Sequence, residues 1–284
     1  MRALRRPRRL YRGYAVDLDG TVYLGDTLIP GADRAIEALR RAGARVVFLS
    51  NNPLYTREEY AAKLTRLGIP THPEDVINSS LVLVRHLSTT AAGARLFVIG
   101  EDSVKRELAA AGFTLVERPE EVDYVVACFD RTFDYRKLKV GFDALRRQAR
   151  FIATNRDPYC PTPDGGLPDA GAIVAALEAA TGRSLELVVG KPSPIMARVL
   201  LERLGTPPEE TLVVGDRWET DVQLGKAMGS PTALVLTGAT SREALDRCPQ
   251  PPDYVLESLA DVVPEGGEVG GTRKADSTTG GERV

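Results

Sequence analysis

Histidine and cysteine are nearly missing from this chain of 284 residues, with two of the first and three of the second. With only His72 and His86 to draw on, a three-histidine metal site and an HExxH zincin are excluded. Cys128, Cys160 and Cys248 are scattered, odd in number and without a CxxC pair. Neither a disulfide framework nor a thiolate zinc site is therefore expected, and the setting is read as a reducing cytoplasm. No GxSxG elbow is present, so a Ser-His-Asp hydrolase is not indicated. No apolar run approaches the ~20 residues that span a bilayer. Excess charge is lacking too: 37 Lys+Arg against 39 Asp+Glu leave a net charge of -2. That balance gives no general attraction to nucleic acid or to an anionic membrane, and neither is expected as a partner.

What remains is ordinary for a globular protein, with 43% hydrophobic and 27% charged residues. The length allows one large domain or two ordinary ones. Six arginines fall within the first twelve residues with no apolar segment after them, so residues 1–11 read as a solvated basic arm rather than a secretory signal. Residues 264–284 are Gly-, Thr- and charge-rich and read as a disordered tail. Between these ends, short β-branched runs at 14–16, 46–49, 96–99, 124–127, 151–153, 187–189, 212–214 and 233–236 alternate with helical patterns. The runs are nearly continuously apolar, as strands buried on both faces of a parallel sheet are. A Thr56/Glu59 capping box opens a helix over 57–67 and Gly68 closes it; Ser193-Pro194 opens another, and Thr240/Glu243 repeats the box before the last. The fold class is α/β with right-handed crossovers.

Ligands of open parallel sheets bind beyond the carboxyl ends of the strands, so the residues just past each run matter most. Asp17-Leu-Asp19-Gly-Thr21 succeeds the first run, Ser50-Asn51-Asn52 the second, Gly190-Lys191-Pro192 the run at 187–189, and Gly215-Asp216 with Asp221 the run at 212–214. Any one of these is an ordinary polar turn. Four in succession are hard to reconcile with that. Asp17, Asp19 and Asp216 cannot share a small site without a cation, because like charges raise one another's pKa. Hard oxygen donors without histidine or cysteine point to Mg²⁺. Lys191 and the Ser50 hydroxyl offer donors to an anion, and the whole set suits phosphoryl transfer. Asp17 would attack phosphorus and become an aspartyl-phosphate. Asp19 would protonate the leaving alcohol and then deprotonate the hydrolytic water.

This set resembles the haloacid-dehalogenase superfamily, and the second acid at plus two resembles its phosphatase branch. Asp17-Leu-Asp-Gly-Thr-Val-Tyr-Leu-Gly25, Ile29-Pro-Gly-Ala32, Ala153-Thr-Asn-Arg-Asp157 and Val189-Gly-Lys-Pro192 are similar to the NagD/4-nitrophenylphosphatase-like group over about residues 12–262. The resemblance implies a Rossmann-like parallel-sheet core (12–86 and 186–263) interrupted by an inserted α/β cap of the C2 type (87–185). The stretch from Ser50 to Lys191 is indeed far longer than one crossover needs.

The resemblance also implies a phosphatase using Mg²⁺ on a small soluble phosphomonoester such as a sugar phosphate, a nucleotide or phosphoglycolate. It gives Asp17, the backbone carbonyl of Asp19 and Asp216 as metal ligands, with Asp221 orienting metal-bound water. Ser50, Asn51 and Lys191 would hold the phosphoryl oxygens, and Thr21 would orient the second acid. The cap loop 154–160 would face substrate, with Asn155, Asp157, Tyr159 and Cys160 as candidates for selecting the leaving group. Members of the group often pair through the cap, so a homodimer is an expectation. One departure is Trp218-Glu219, where the group more often has Leu-Asp; Trp218 reads as a partly buried aromatic. The same residues would serve a phosphotransferase or phosphomutase, or a non-catalytic phosphometabolite-binding regulator. The intact Asp17/Asp19 pair argues against the last.

Overall fold

A computed structural model describes residues 3–264. Six parallel strands form one sheet in the order Tyr254–Leu256, Thr232–Val235, Thr211–Gly215, Gly13–Asp17, Arg45–Ser50, Val76–Asn78. A second parallel sheet of five strands runs Leu187–Val188, Arg150–Ala153, Tyr124–Ala127, Arg95–Ile99, Thr114–Leu115. The architecture is α/β: a Rossmann-like sheet with a second α/β unit inserted in it. Gly13–Asp17 and Thr211–Gly215 are buried at every position. Tyr14 and Val16 pack on one face of the main sheet while Ala15 packs on the other, which is why the run is apolar without alternation. The second face is continuous with the inserted unit, since Ala15, Val47 and Leu49 share one apolar cluster with Leu96, Val98 and Ile152.

The order of strands positions the chemistry. From Gly13–Asp17 the chain adds strands outward on one side, leaves for the inserted unit, and returns to build the other side from Thr211–Gly215. The reversal therefore lies between the strand that ends in Asp17 and the strand that precedes Asp216, where a crevice opens in folds of this kind. The second sheet has its own reversal, between Arg95–Ile99 and Tyr124–Ala127.

Several expectations need correction. Leu187–Val188 pairs with Ile152 and Ala153, so the Lys191 loop leaves the second sheet rather than the main one. The Thr56/Glu59 box forms, but the last helix is capped by Ser241, whose hydroxyl accepts from Ala244 N at 3.2 Å. Thr240 instead accepts the Trp218 N–H at 3.0 Å, drawn away by the loop after Asp216. The described arginines of the basic arm are exposed, but the arm is docked on the fold. Arg5 exchanges both backbone hydrogen bonds with Val255, Arg9 stacks 4.2 Å from the centroid of Tyr11, and Tyr11 is buried. Tyr11 and Leu10 supply the apolar surface that the arginine count obscured. The helix Ser79–Thr90, capped by Asn78, was not expected and runs through residue 87. Apart from Pro264 the expected tail lies outside the described residues. Trp218 is half-buried against Val222 and Leu234, as expected, and its ring N–H donates to Gln250 O at 2.7 Å. Among the described residues no helix is long and apolar enough to cross a membrane.

Candidate active site

Asp17 closes its strand and is buried; Gly20, at φ 85°, lets the chain turn sharply behind it. Asp216 leaves the neighbouring strand, and a π-helical turn over Trp218–Val222 brings Asp221 back to the same place. One carboxylate oxygen from each of Asp17, Asp216 and Asp221 lies within 4.8 Å of the others. The Lys191 Nζ stands 2.5 Å from Asp17 Oδ1 and 2.7 Å from Asp221 Oδ1, and the lysine is itself 3% exposed. Loops from two sheets thus meet at one buried ionic cluster. Thr21 does not orient Asp19: its hydroxyl donates to Asp17 Oδ2 at 3.1 Å.

Glycines shape the cradle around the acids. A Cβ on Gly238 would stand 1.9 Å from Asp216 Oδ2, one on Gly20 2.5 Å from the same atom, and one on Gly215 2.1 Å from Asp221 Cγ. Gly238→Ala is expected to displace the Asp216 carboxylate. It should weaken divalent-metal binding by at least about tenfold, while burying no new charge that would unfold the protein. Metal titration followed by melting temperature checks this; wild-type metal affinity in the variant would refute the cradle.

Ser50 Oγ sits 3.1 Å from Tyr60 OH and accepts from Asn52 N at 3.1 Å. The Asn51 amide grips the Lys191 backbone, with Oδ1 accepting from Lys191 N at 2.7 Å and Nδ2 donating to Lys191 O at 3.2 Å. Asn51 Nδ2 also donates to Asp157 Oδ2 at 3.1 Å, which ties the inserted unit to the main one. Asp157, Tyr159 and Cys160 line the site cavity. Asn155 is fully buried behind it, donating to Asn51 O at 2.9 Å and to Asp169 Oδ1 at 3.2 Å. It holds the loop rather than presenting a group to the cavity.

Three contributors escaped the sequence reading. Arg217 lines the cavity, donates from Nη2 to Tyr159 O at 2.8 Å and lies 5.0 Å from the Tyr159 ring centroid. Asp169 lines the cavity and caps the helix Ala170–Thr181. Gly238 lies just past the strand Thr232–Val235, so the rule of looking beyond each strand end would have found it.

Burial dominates the electrostatics. It raises the Asp17 carboxyl well above the usual range; Lys191 opposes this, while Asp221 and Asp216 add to it. Asp216 is pushed up to about 7 by burial and then by Asp221. Burial likewise lifts Asp19 to about 6 and Asp169 to about 8, the latter with help from Asp157. For Lys191, burial acts to lower the pKa, but Asp17 and Asp221 outweigh it and the ammonium is held charged. The cavity is about 40 Å³, little more than one water's share of the liquid.

A family model for haloacid dehalogenase-like hydrolases matches residues 14–114, and a HAD-hydrolase-like model matches 188–262. The chain is 39% identical over 251 residues to the sugar-phosphatase AraL of Bacillus subtilis, covering 88% of this chain and 92% of that one. Its fold superposes on the p-nitrophenyl phosphatase from Archaeoglobus fulgidus with a TM-score of 0.82 at 35% identity, over 89% of this chain and 98% of the other. A glycerol phosphate phosphatase from Mycobacterium tuberculosis, solved in complex with magnesium, gives a TM-score of 0.80 at 34% identity, over 88% and 76% of the two chains.

Proposed function

The chain belongs to the haloacid dehalogenase-like hydrolases, among their NagD and 4-nitrophenylphosphatase relatives, and is a phosphoric monoester hydrolase; from that premise we propose that it uses Mg²⁺ and forms an aspartyl-phosphate on Asp17. The carrying observation is the meeting of Asp17, Asp216 and Asp221 within 4.8 Å around the Lys191 ammonium. Three buried carboxylates facing one lysine leave a local deficit of positive charge, and an all-oxygen donor set fits a hard dication. Asp17, Asp216 and the backbone carbonyl of Asp19 would hold it, with Asp221 orienting its water. When bound, Mg²⁺ would neutralise charge on the phosphoryl oxygens.

The chain's own groups carry the steps. Lys191 and Thr21 hold the two oxygens of Asp17 and aim the carboxylate at phosphorus. Attack forms the Asp17 Oδ–P bond and breaks the bond from phosphorus to the leaving oxygen, which takes its proton from Asp19. The Asp19 carboxylate then removes a proton from water as that water attacks phosphorus, releasing orthophosphate and regenerating Asp17. A carboxyl raised to about 6 is suited to both duties near neutral pH. Ser50, the Asn51 backbone N–H and Lys191 hold the phosphoryl oxygens. A cavity of about 40 Å³ is far below the ~300 Å³ of ordinary ligand pockets. Admission of a sugar phosphate therefore requires the cap to swing away, parting Asn51 from Asp157 and Arg217 from Tyr159. On closure Asp157, Tyr159, Cys160 and Arg217 would face the leaving group.

Phosphate release from p-nitrophenyl phosphate should stop in EDTA and return with Mg²⁺; no metal-dependent release from that ester or from a panel of sugar phosphates, nucleotides and phosphoglycolate would sink the reading. Stability should also depend on pH. Asp169 and Asp216 have folded-state values of about 8 and about 7 against an ordinary 3.8, so the folded chain holds protons that the unfolded chain has released. Their contribution to stability is complete below pH 3.8 and is lost as the pH climbs through about 7 to 8. The metal-free melting temperature should fall across that window. The gain on adding Mg²⁺ should grow across it, because the ion binds ionised carboxylates. A Mg²⁺ shift independent of pH would contradict this.

A further inference from the structure

The second sheet has a crevice of its own. Its strand order reverses between Arg95–Ile99 and Tyr124–Ala127, and beyond the carboxyl ends of those strands lies a cavity of about 280 Å³. Open parallel sheets bind ligands at this kind of position. One wall is the first turn of the helix Asp102–Ala110, whose leading N–H groups have no partner within the helix. Glu101, at the N-cap, gives that turn no side-chain hydrogen bond. Glu101 itself lines the cavity, and its carboxylate pairs instead with Arg131, accepting from Nε at 2.7 Å and Nη2 at 2.8 Å.

Ser103 lines the cavity, is 4% exposed, and its buried hydroxyl has no hydrogen-bond partner. An unsatisfied buried hydroxyl is a cost that a bound acceptor would remove. Lys105 and Arg106 also line the cavity and make no ion pair among the described residues; of the two acids that line it, Glu101 is balanced by Arg131, so the two cations outweigh the exposed Asp102. Thr132 forms the facing wall and is braced by the buried Asp130–Lys137 pair, with Lys137 Nζ 2.6 Å from Thr132 Oγ1 and 2.6 Å from Asp130 Oδ2.

We propose that this cavity binds the phosphate group of a small metabolite at a site separate from the catalytic one. Unpaired helix N–H groups, a hydroxyl donor and two free cations are the elements such a group needs. The last wall is Leu54, contributed by the main unit two residues after Asn52 of the catalytic loop. An occupant would touch both units and bias the swing that admits substrate, so the site is regulatory in character.

Calorimetry of the full chain with Mg²⁺ tests this, using two probes: orthophosphate and a sugar phosphonate whose P–C bond is not hydrolysed. The wild type should take two equivalents. Lys105→Gln/Arg106→Gln, which alters exposed or half-exposed residues outside the catalytic machinery, should lose the second, weakened at least about tenfold. Its turnover of p-nitrophenyl phosphate without added phosphate should be unchanged. A second equivalent seen with orthophosphate alone, or with the phosphonate alone, identifies free phosphate or a phosphate ester as the occupant. One equivalent in both proteins with both probes overturns the proposal. One in the wild type and none in the variant would keep it and remove the catalytic reading instead.

Discussion

Asp17→Asn is expected to lower the turnover of p-nitrophenyl phosphate by roughly 10³-fold or more while leaving the fold intact, because an amide does not attack phosphorus. The physical case rests on where the side chain sits. Asparagine has nearly the same shape, and its Oδ1 still accepts from the Lys191 ammonium 2.5 Å away. The substitution also removes a buried negative charge from beside Asp216 and Asp221, both of which raise the Asp17 pKa. Metal-free stability should therefore hold or rise, while Mg²⁺ raises the melting temperature less than in the wild type. Steady-state kinetics together with thermal melts separate these outcomes. Activity within tenfold of wild type would end the nucleophile assignment, whatever the stability.

Lys191→Met is the second large effect, and it strikes stability and turnover together. The ammonium pairs with Asp17 at 2.5 Å and with Asp221 at 2.7 Å, and all three side chains are at most 9% exposed. Removing the cation leaves two buried carboxylates facing each other, a change that typically costs about 3–5 kcal/mol. The expected loss in turnover is about 10²–10³-fold, the usual result of removing one donor to transition-state charge. Mg²⁺ should return part of the stability, since a dication meets the same unbalanced charge, but not the turnover. Urea denaturation with and without Mg²⁺, alongside kinetics, reads both. An unchanged midpoint in the absence of metal would mean that Lys191 does not balance the cluster.

The chain's short local signals were legible. The continuously apolar runs gave the strands at 13–17, 45–50, 95–99, 124–127, 150–153 and 211–215 within a residue or two, because burial on both faces imposes that pattern. The Thr56/Glu59 box forms because both partners sit within one helical turn. Several strands of two or three residues were not legible. Val76–Asn78, Thr114–Leu115 and Tyr254–Leu256 carry too few side chains to show a period, and pairing with neighbours distant in sequence makes them strands. The arginine-rich start misled for a related reason: its charges face outward while Tyr11 is drawn in by Tyr14 and Tyr254.

The sequence by itself determined the chemistry on offer: carboxylates without histidine, a lysine, a hydroxyl, each just past a buried strand, where backbone geometry puts short polar turns. Only the tertiary structure decided who meets whom. It sent the Lys191 loop out of the second sheet and across to Asp17, turned Thr21 toward Asp17 and away from Asp19, set Asn155 behind the wall and Arg217 in it, and fitted Gly238 against Asp216. Those choices depend on packing between segments up to 174 residues apart, as between Asp17 and Lys191. Distances of that kind are set by how two sheets share one apolar cluster, and no local pattern of residues encodes them.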